Sequence, residues 1–172
     1  MSLRKSKILA IDPGTREMGI AFFDKGKLIY QGVKTIKDKE RAPYQRLKEA
    51  RKITLRLVRD FKPKVLVSEK TFFAKSKNTA LLNVLGEEIK NIAKRKRLKL
   101  LTFAPSTVKK YICGNGYAKK KEIAKAIVAK FPELKVYLTQ DRQWKERYHQ
   151  NMFDAVALGL LALKNGKAKD FN

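Results

Sequence analysis

At 172 residues and 19.8 kDa, with 44% hydrophobic residues, residues 1–172 are long enough for a core of their own and predict a single domain. Lys and Arg number 41 against 16 Asp and Glu, a net charge of +25 that argues against an ordinary small-metabolite enzyme and for a polyanionic partner, nucleic acid first. The single cysteine, Cys113, excludes an intrachain disulfide and a cysteine-built zinc site, and no apolar run nears the about 20 residues of a membrane span, so a soluble protein of a reducing cytoplasm, without membrane association, is expected.

Taken in order, Ile8-Leu-Ala-Ile-Asp12 reads as a buried strand closed by the breaker pair Pro13-Gly14. Apolar runs at 18–23 and 27–33, divided by Asp24-Lys25-Gly26, complete an antiparallel meander of three strands. Leu47, Ala50, Thr54, Leu57, Val58 and Phe61 recur at helical spacing, and Pro63 ends that helix before a strand, Val65-Leu-Val-Ser-Glu69. A second helix is predicted over about 78–97, then a strand at 98–103, a helical turn opened by Pro105 and broken by Gly114-Asn-Gly116, and a helix ending at Pro132. The last helix is expected to begin near Asn151 and to be apolar on almost every side; residues 133–150, the least patterned stretch, read as a long loop. This order predicts an α/β domain with a mixed five-stranded sheet, one half antiparallel and the other parallel with helical crossovers.

Three acids stand at the ends of the most buried elements. Asp12 closes the first strand, Glu69 closes the strand expected beside it, and Asp154 lies in the expected first turn of the last helix. Each also has a plainer reading, as a turn carboxylate, a surface residue and a helix N-terminal charge favoured by the dipole. Taken together they suggest clustered carboxylates, which repel unless a cation lies between them; oxygen donors suit Mg²⁺ or Mn²⁺, and hydrolysis of a phosphodiester by two metal ions uses such a set.

The segment Ile-Leu-Ala-Ile-Asp12-Pro-Gly-Thr-Arg-Glu-Met-Gly-Ile-Ala resembles the opening strand pair of the RuvC family of Holliday junction resolvases. The likeness continues through Ser-Glu69-Lys-Thr-Phe72-Phe-Ala-Lys-Ser-Lys-Asn, Pro105-Ser-Thr-Val-Lys109-Lys-Tyr, Gly114-Asn-Gly-Tyr-Ala-Lys-Lys120-Lys and Asn151-Met-Phe-Asp154-Ala-Val-Ala-Leu, nearly the whole chain. The resemblance implies a ribonuclease H-like fold and a homodimer that nicks two symmetric strands of a four-way DNA junction. It implies two Mg²⁺ ions, with Mn²⁺ as a substitute, held by Asp12, Glu69 and Asp154. A branch-migration helicase is an implied partner, and an organellar or viral origin stays open beside a cytoplasmic one.

The chain departs from the family at Asn151, where an aspartate or histidine is usual three residues before the final aspartate. Asn151 is a neutral ligand candidate, and restoring a carboxylate there is expected to tighten metal binding. His149 is a second candidate; it lies about 140° from Asp154 on an ideal helix and reaches the site only from a non-helical turn. Lys109 and Lys120 match phosphate-contacting lysines of the family, with Lys119 beside them in a basic run whose plainer reading is a solvated helix end. The resemblance places an aromatic wedge at Phe72; Phe73 faces the other way in a strand, and Lys75 and Lys77 add charge around it. Gly86 of the second helix is the expected point of close approach between protomers. Two rivals remain: a ribonuclease H-like nuclease acting on RNA or hybrids, and a junction-binding protein weakened in catalysis by Asn151.

Overall fold

The computed structural model describes residues 3–37, 42–70, 77–138 and 143–168. Strands β1 (Ile8–Asp12), β2 (Glu17–Asp24) and β3 (Lys27–Thr35) form the antiparallel meander. Lys25 (φ 49°) and Gly26 (φ 78°) are both left-handed, the pairing of a tight hairpin turn whose twist matches that of its strands. Helix α1 (Pro43–Phe61) starts on a proline, whose missing N–H costs nothing there, and stops where Lys62 turns left-handed. It leads into β4 (Val65–Glu69), which is followed by α2 (Lys77–Arg95) and β5 (Lys99–Phe103). The sheet order is β3-β2-β1-β4-β5, with β4 parallel to both β1 and β5. The fold is thus α/β with a mixed five-stranded sheet, as the chain order predicts.

Side-chain alternation divides the core in two. Ile8, Ala10, Val65 and Val67 point to the face covered by α3 (Pro105–Cys113), α4 (Lys120–Lys130) and α6 (Gln143–Ala168). Leu9, Ile11, Ile20 and Leu66 point to the face covered by α1 and α2. Asp12 continues the first series and Glu69 likewise, so the alternation that buries the strands also sends both carboxylates toward α6.

The structure corrects the expected loop at 133–150. A 3-10 turn spans Pro132–Leu134, α5 spans Lys135–Leu138, and α6 starts at Gln143, two turns before Asn151. Residues 143–150 lack an apolar stripe, which removes the helical signal, but they contain no Gly or Pro and are rich in Gln, Lys, Glu and Arg, which favour helix. Asp154 therefore lies about three turns into its helix, and the dipole reading of its charge falls. A further 3-10 turn, Leu3–Lys5, buries Leu3 in the core, where the sequence shows only a charged lead-in. Gly86 is buried within the chain itself, so it offers no surface for close approach of a second copy; Ala80 and Val84 are exposed apolar side chains on α2. Among the described residues no helix is long and apolar enough to cross a membrane.

Candidate active site

Asp12 is the last residue of β1, opposite Gly19 of β2. The parallel register Ile8↔Val65 through Ile11↔Ser68, continued by one step, sets Glu69 level with Asp12. Helix α6 crosses above. Its backbone comes so close at Asn151 that a Cβ on Gly19 would lie 1.7 Å from the Asn151 carbonyl oxygen. No residue with a side chain fits at 19 while α6 keeps this seat, and the seat brings Asp154 over the strand ends.

A cavity of about 380 Å³ opens there. Asp12, Glu69, Asn151 and Asp154 supply its acids and amide, and Lys109 of α3 and Lys120, the first residue of α4, line it as well. Asp12 is only 8% exposed, and its carboxylate accepts no hydrogen bond among the described residues. Burial holds its pKa well above the ordinary carboxylate range, with repulsion from Asp154 and Glu69 adding to the rise and Lys120 opposing it. Glu69 is raised by burial and then by Asp154, against Lys120 and Lys109. Asp154 is raised by burial, against Lys120, a hydrogen bond from Gln150 and Lys109.

Each carboxylate is thus costly to ionise where it stands, and a cation would relieve that cost. Among the described residues no three of His, Cys, Asp and Glu are drawn together closely enough to hold one ion by themselves. The donor set nevertheless suits a hard divalent cation: carboxylate oxygens from three elements, an amide beside them, and one buried carboxylate left without a hydrogen bond.

Other expected residues fall elsewhere. His149 is helical and does not line the cavity; its ring packs against Tyr137 at 4.8 Å and Tyr148 at 5.1 Å, and the non-helical turn that would have carried it to the acids is absent. Lys119 is exposed and caps α4, its backbone N–H donating to Glu122 Oε2 at 2.6 Å. Phe72, Phe73 and Lys75 lie outside the described residues, and Lys77 is the first residue of α2.

Two neighbours escape the sequence reading. Gln150 Nε2 donates to Asp154 Oδ1 at 3.2 Å, an i, i+4 contact that becomes visible only once the helix is known to begin before Asn151. Tyr117 is 94% exposed in the turn between α3 and α4, with its backbone N–H donating to Asn115 Oδ1 at 2.9 Å. An aromatic between a Gly-Asn-Gly turn and a lysine run was the available signal.

A ribonuclease H-like sheet with acids from β1, β4 and a crossing helix at its open end defines a nuclease of that class. The sequence profile described as crossover junction endodeoxyribonuclease RuvC matches residues 8–158, and the chain belongs to this family of hydrolases acting on DNA phosphodiester bonds. Proteins of that name from Prochlorococcus marinus and Thermosipho melanesiensis are 32% and 34% identical over 163 and 128 residues. The matches cover 91% and 70% of this chain and 97% and 80% of theirs. Among solved structures, Thermus thermophilus RuvC in complex with a Holliday junction substrate superposes with a TM-score of 0.73 at 20% identity, covering 95% of this chain and 96% of that one. The yeast mitochondrial Holliday junction resolvase Ydc2 gives 0.69 at 16% identity, covering 97% and 82%.

Proposed function

We propose that this chain resolves four-way DNA junctions by metal-dependent hydrolysis, with Asp12, Glu69 and Asp154 as the metal-holding acids and Asn151 as a neutral fourth donor. The observation that carries the reading is the meeting of three carboxylates, from three separate elements, with Lys109 and Lys120 in one cavity. Two Mg²⁺ ions, replaceable by Mn²⁺, would supply Lewis-acid polarisation of the scissile phosphate and neutralise the acids that hold them.

The chain's own groups do the rest. Lys109 and Lys120 bring positive charge to a cavity otherwise hostile to phosphate, and so fix the strand over the acids. Water attacks phosphorus in line and gives up one proton to solvent, the new P–O bond forming as the bond to the 3′ oxygen breaks, and the departing oxygen takes up one proton from solvent, so that none is gained or lost overall. Tyr117 offers an exposed ring next to this strand path, and Phe72, on the strength of the sequence resemblance, is assigned the contact at the junction centre. Paired nicks call for a homodimer; a branch-migration helicase and a cytoplasmic setting accompany the same reading.

The test is a cleavage assay on four-way junction, flap, linear duplex and RNA–DNA hybrid with Mg²⁺ titrated from zero. Mg²⁺-dependent paired nicking of the junction above all other substrates is expected. Preference for the hybrid would assign a ribonuclease, and tight junction binding without cleavage at any Mg²⁺ concentration would assign a binding protein.

A further inference from the structure

Helix α1 buries Ala50, Thr54 and Leu57 against the sheet and turns Lys48, Lys52, Arg56 and Arg59 outward. With Arg51, the capping Lys62 and Lys96 from the end of α2, these cations surround an open groove of about 1000 Å³ floored by Leu55 and Val58. Two carboxylates answer them. Asp60 accepts from Arg59 at 2.9 Å and stands 3.5 Å from Arg56, while Glu88 takes both Arg51 and Arg95 at 2.8 Å. Lys48, Lys52, Lys62 and Lys96 have no ion pair among the described residues.

This surface is separate from the cleft. Helix α1 covers the sheet face opposite α6, and Lys62 and Lys96 stand just before β4 and β5, at the strand ends remote from Asp12 and Glu69. Five residues of strand put about 16 Å between those two ends. A phosphate held by Lys109 and Lys120 therefore cannot also touch the groove.

We infer that the α1 groove binds the phosphate backbone of double-stranded DNA outside the strand being cut. Like charge argues against a second copy of this chain as the occupant. Length argues against a small anion, because Lys48 to Lys62 extend over about 21 Å of helix. One strand of duplex carries a phosphate for about every 3.4 Å of axis, so a row of this length faces several phosphates rather than one. The half-buried Leu55 and Val58 read no base, and the contact is independent of sequence. The inference rests on the junction reading only for which DNA is bound: an arm of the junction itself, or a separate duplex.

The experiment compares the parent with the combined variant Lys48→Ala, Lys52→Ala, Lys62→Ala, Lys96→Ala, all exposed positions far from the acids, after thermal melts establish that both fold. Binding is followed against salt by fluorescence anisotropy on a linear duplex and on junctions with arms of about 10 or about 30 base pairs. The variant is expected to lose at least about tenfold in affinity for the linear duplex, with the slope of log K against log salt smaller by about 0.9 for each contact removed. Cleavage of the short-armed junction is expected to stay at the parent rate. An equal loss on the long-armed junction identifies the arm as the ligand; a loss on the linear duplex alone identifies a separate duplex. Unchanged salt slopes on both long substrates would overturn the inference. A parent that cuts no junction would instead sink the junction reading, while the duplex slopes would still report on the groove.

Discussion

Asn151 Nδ2 donates to the backbone carbonyl oxygen of Glu17 at 3.3 Å, tying α6 to β2 beside the acids. The amide nitrogen is spent on the backbone, which leaves Oδ1 as the only atom Asn151 can offer a cation. A carboxylate at this position has no donor, so Asn151→Asp sets oxygen against oxygen, a cost that the expectation of simply tighter metal binding leaves out. In the absence of metal, Asn151→Asp is expected to lose about 1 kcal/mol of stability, the low end of the range for a polar group left unmatched, because both partners are only partly buried. Added Mg²⁺ should narrow the deficit as the ion takes up the new charge. Melting curves across a Mg²⁺ titration measure both, and a variant as stable as its parent without metal would show that the Glu17 contact contributes nothing.

Burial and mutual repulsion raise the pKa of Asp12, which fixes the sign of its pH dependence. A carboxyl whose folded pKa lies above its unfolded value favours folding below the unfolded value and loses that contribution as pH rises through the folded one. In the metal-free protein the contribution of Asp12 should therefore fade as pH increases from about 4 upward. Asp12→Asn removes this loss: it should melt higher than the parent at neutral pH without metal, gain less from Mg²⁺, and still bind junctions while cutting them more than about 100-fold slower, about 2.7 kcal/mol in barrier. Equal Mg²⁺ stabilisation of parent and variant would remove Asp12 from the metal-holding set.

Much of this site was legible because strands announce their faces. Asp12 and Glu69 each end an apolar run of period two, and once β1 and β4 are neighbours no freedom remains in where those carboxylates point. Helix α6 was legible only in its apolar half. Its first two turns are polar, so the sequence pattern starts the helix at Asn151 and puts Gln150 in a loop, whereas Gln150 is in fact nearly buried against Asp154. The close seat of α6 on Gly19 has no sequence signature either, since a strand glycine signals only that something approaches.

That buried Gln150 carries a prediction about catalysis. Its hydrogen bond to Asp154 Oδ1 favours the ionised carboxylate, against the burial that raises Asp154. Gln150→Leu keeps the volume and removes the donor, a charge-assisted bond of about 1.5–3 kcal/mol. The acidic limb of the pH–rate profile should move to higher pH, and Gln150→Glu should move it further by adding a third negative neighbour. A profile unmoved in both variants, with only the melting temperature changed, would make Gln150 a packing residue.

Tyr117 is held out from the body by the turn that carries it. Gly114 takes the left-handed conformation that ends α3, the Asn115 side chain accepts from the Tyr117 N–H, and Ala118 is buried directly after, so the ring is presented at a fixed place rather than left on a free loop. An aromatic that buries almost nothing contributes little to folding, and Tyr117→Ala should barely shift the melting temperature. It lies between α3 and α4, the helices that supply Lys109 and Lys120, and three residues before Lys120, so the proposed function gives it a part in holding the strand. Stacking on an unpaired base is worth about 1–3 kcal/mol, so Tyr117→Ala should weaken junction binding by about 5- to 150-fold, while Tyr117→Phe, which keeps the ring, should bind as the parent does. Loss in both variants would point to the hydroxyl as a phosphate contact; no loss in either would leave the ring without a part in DNA binding.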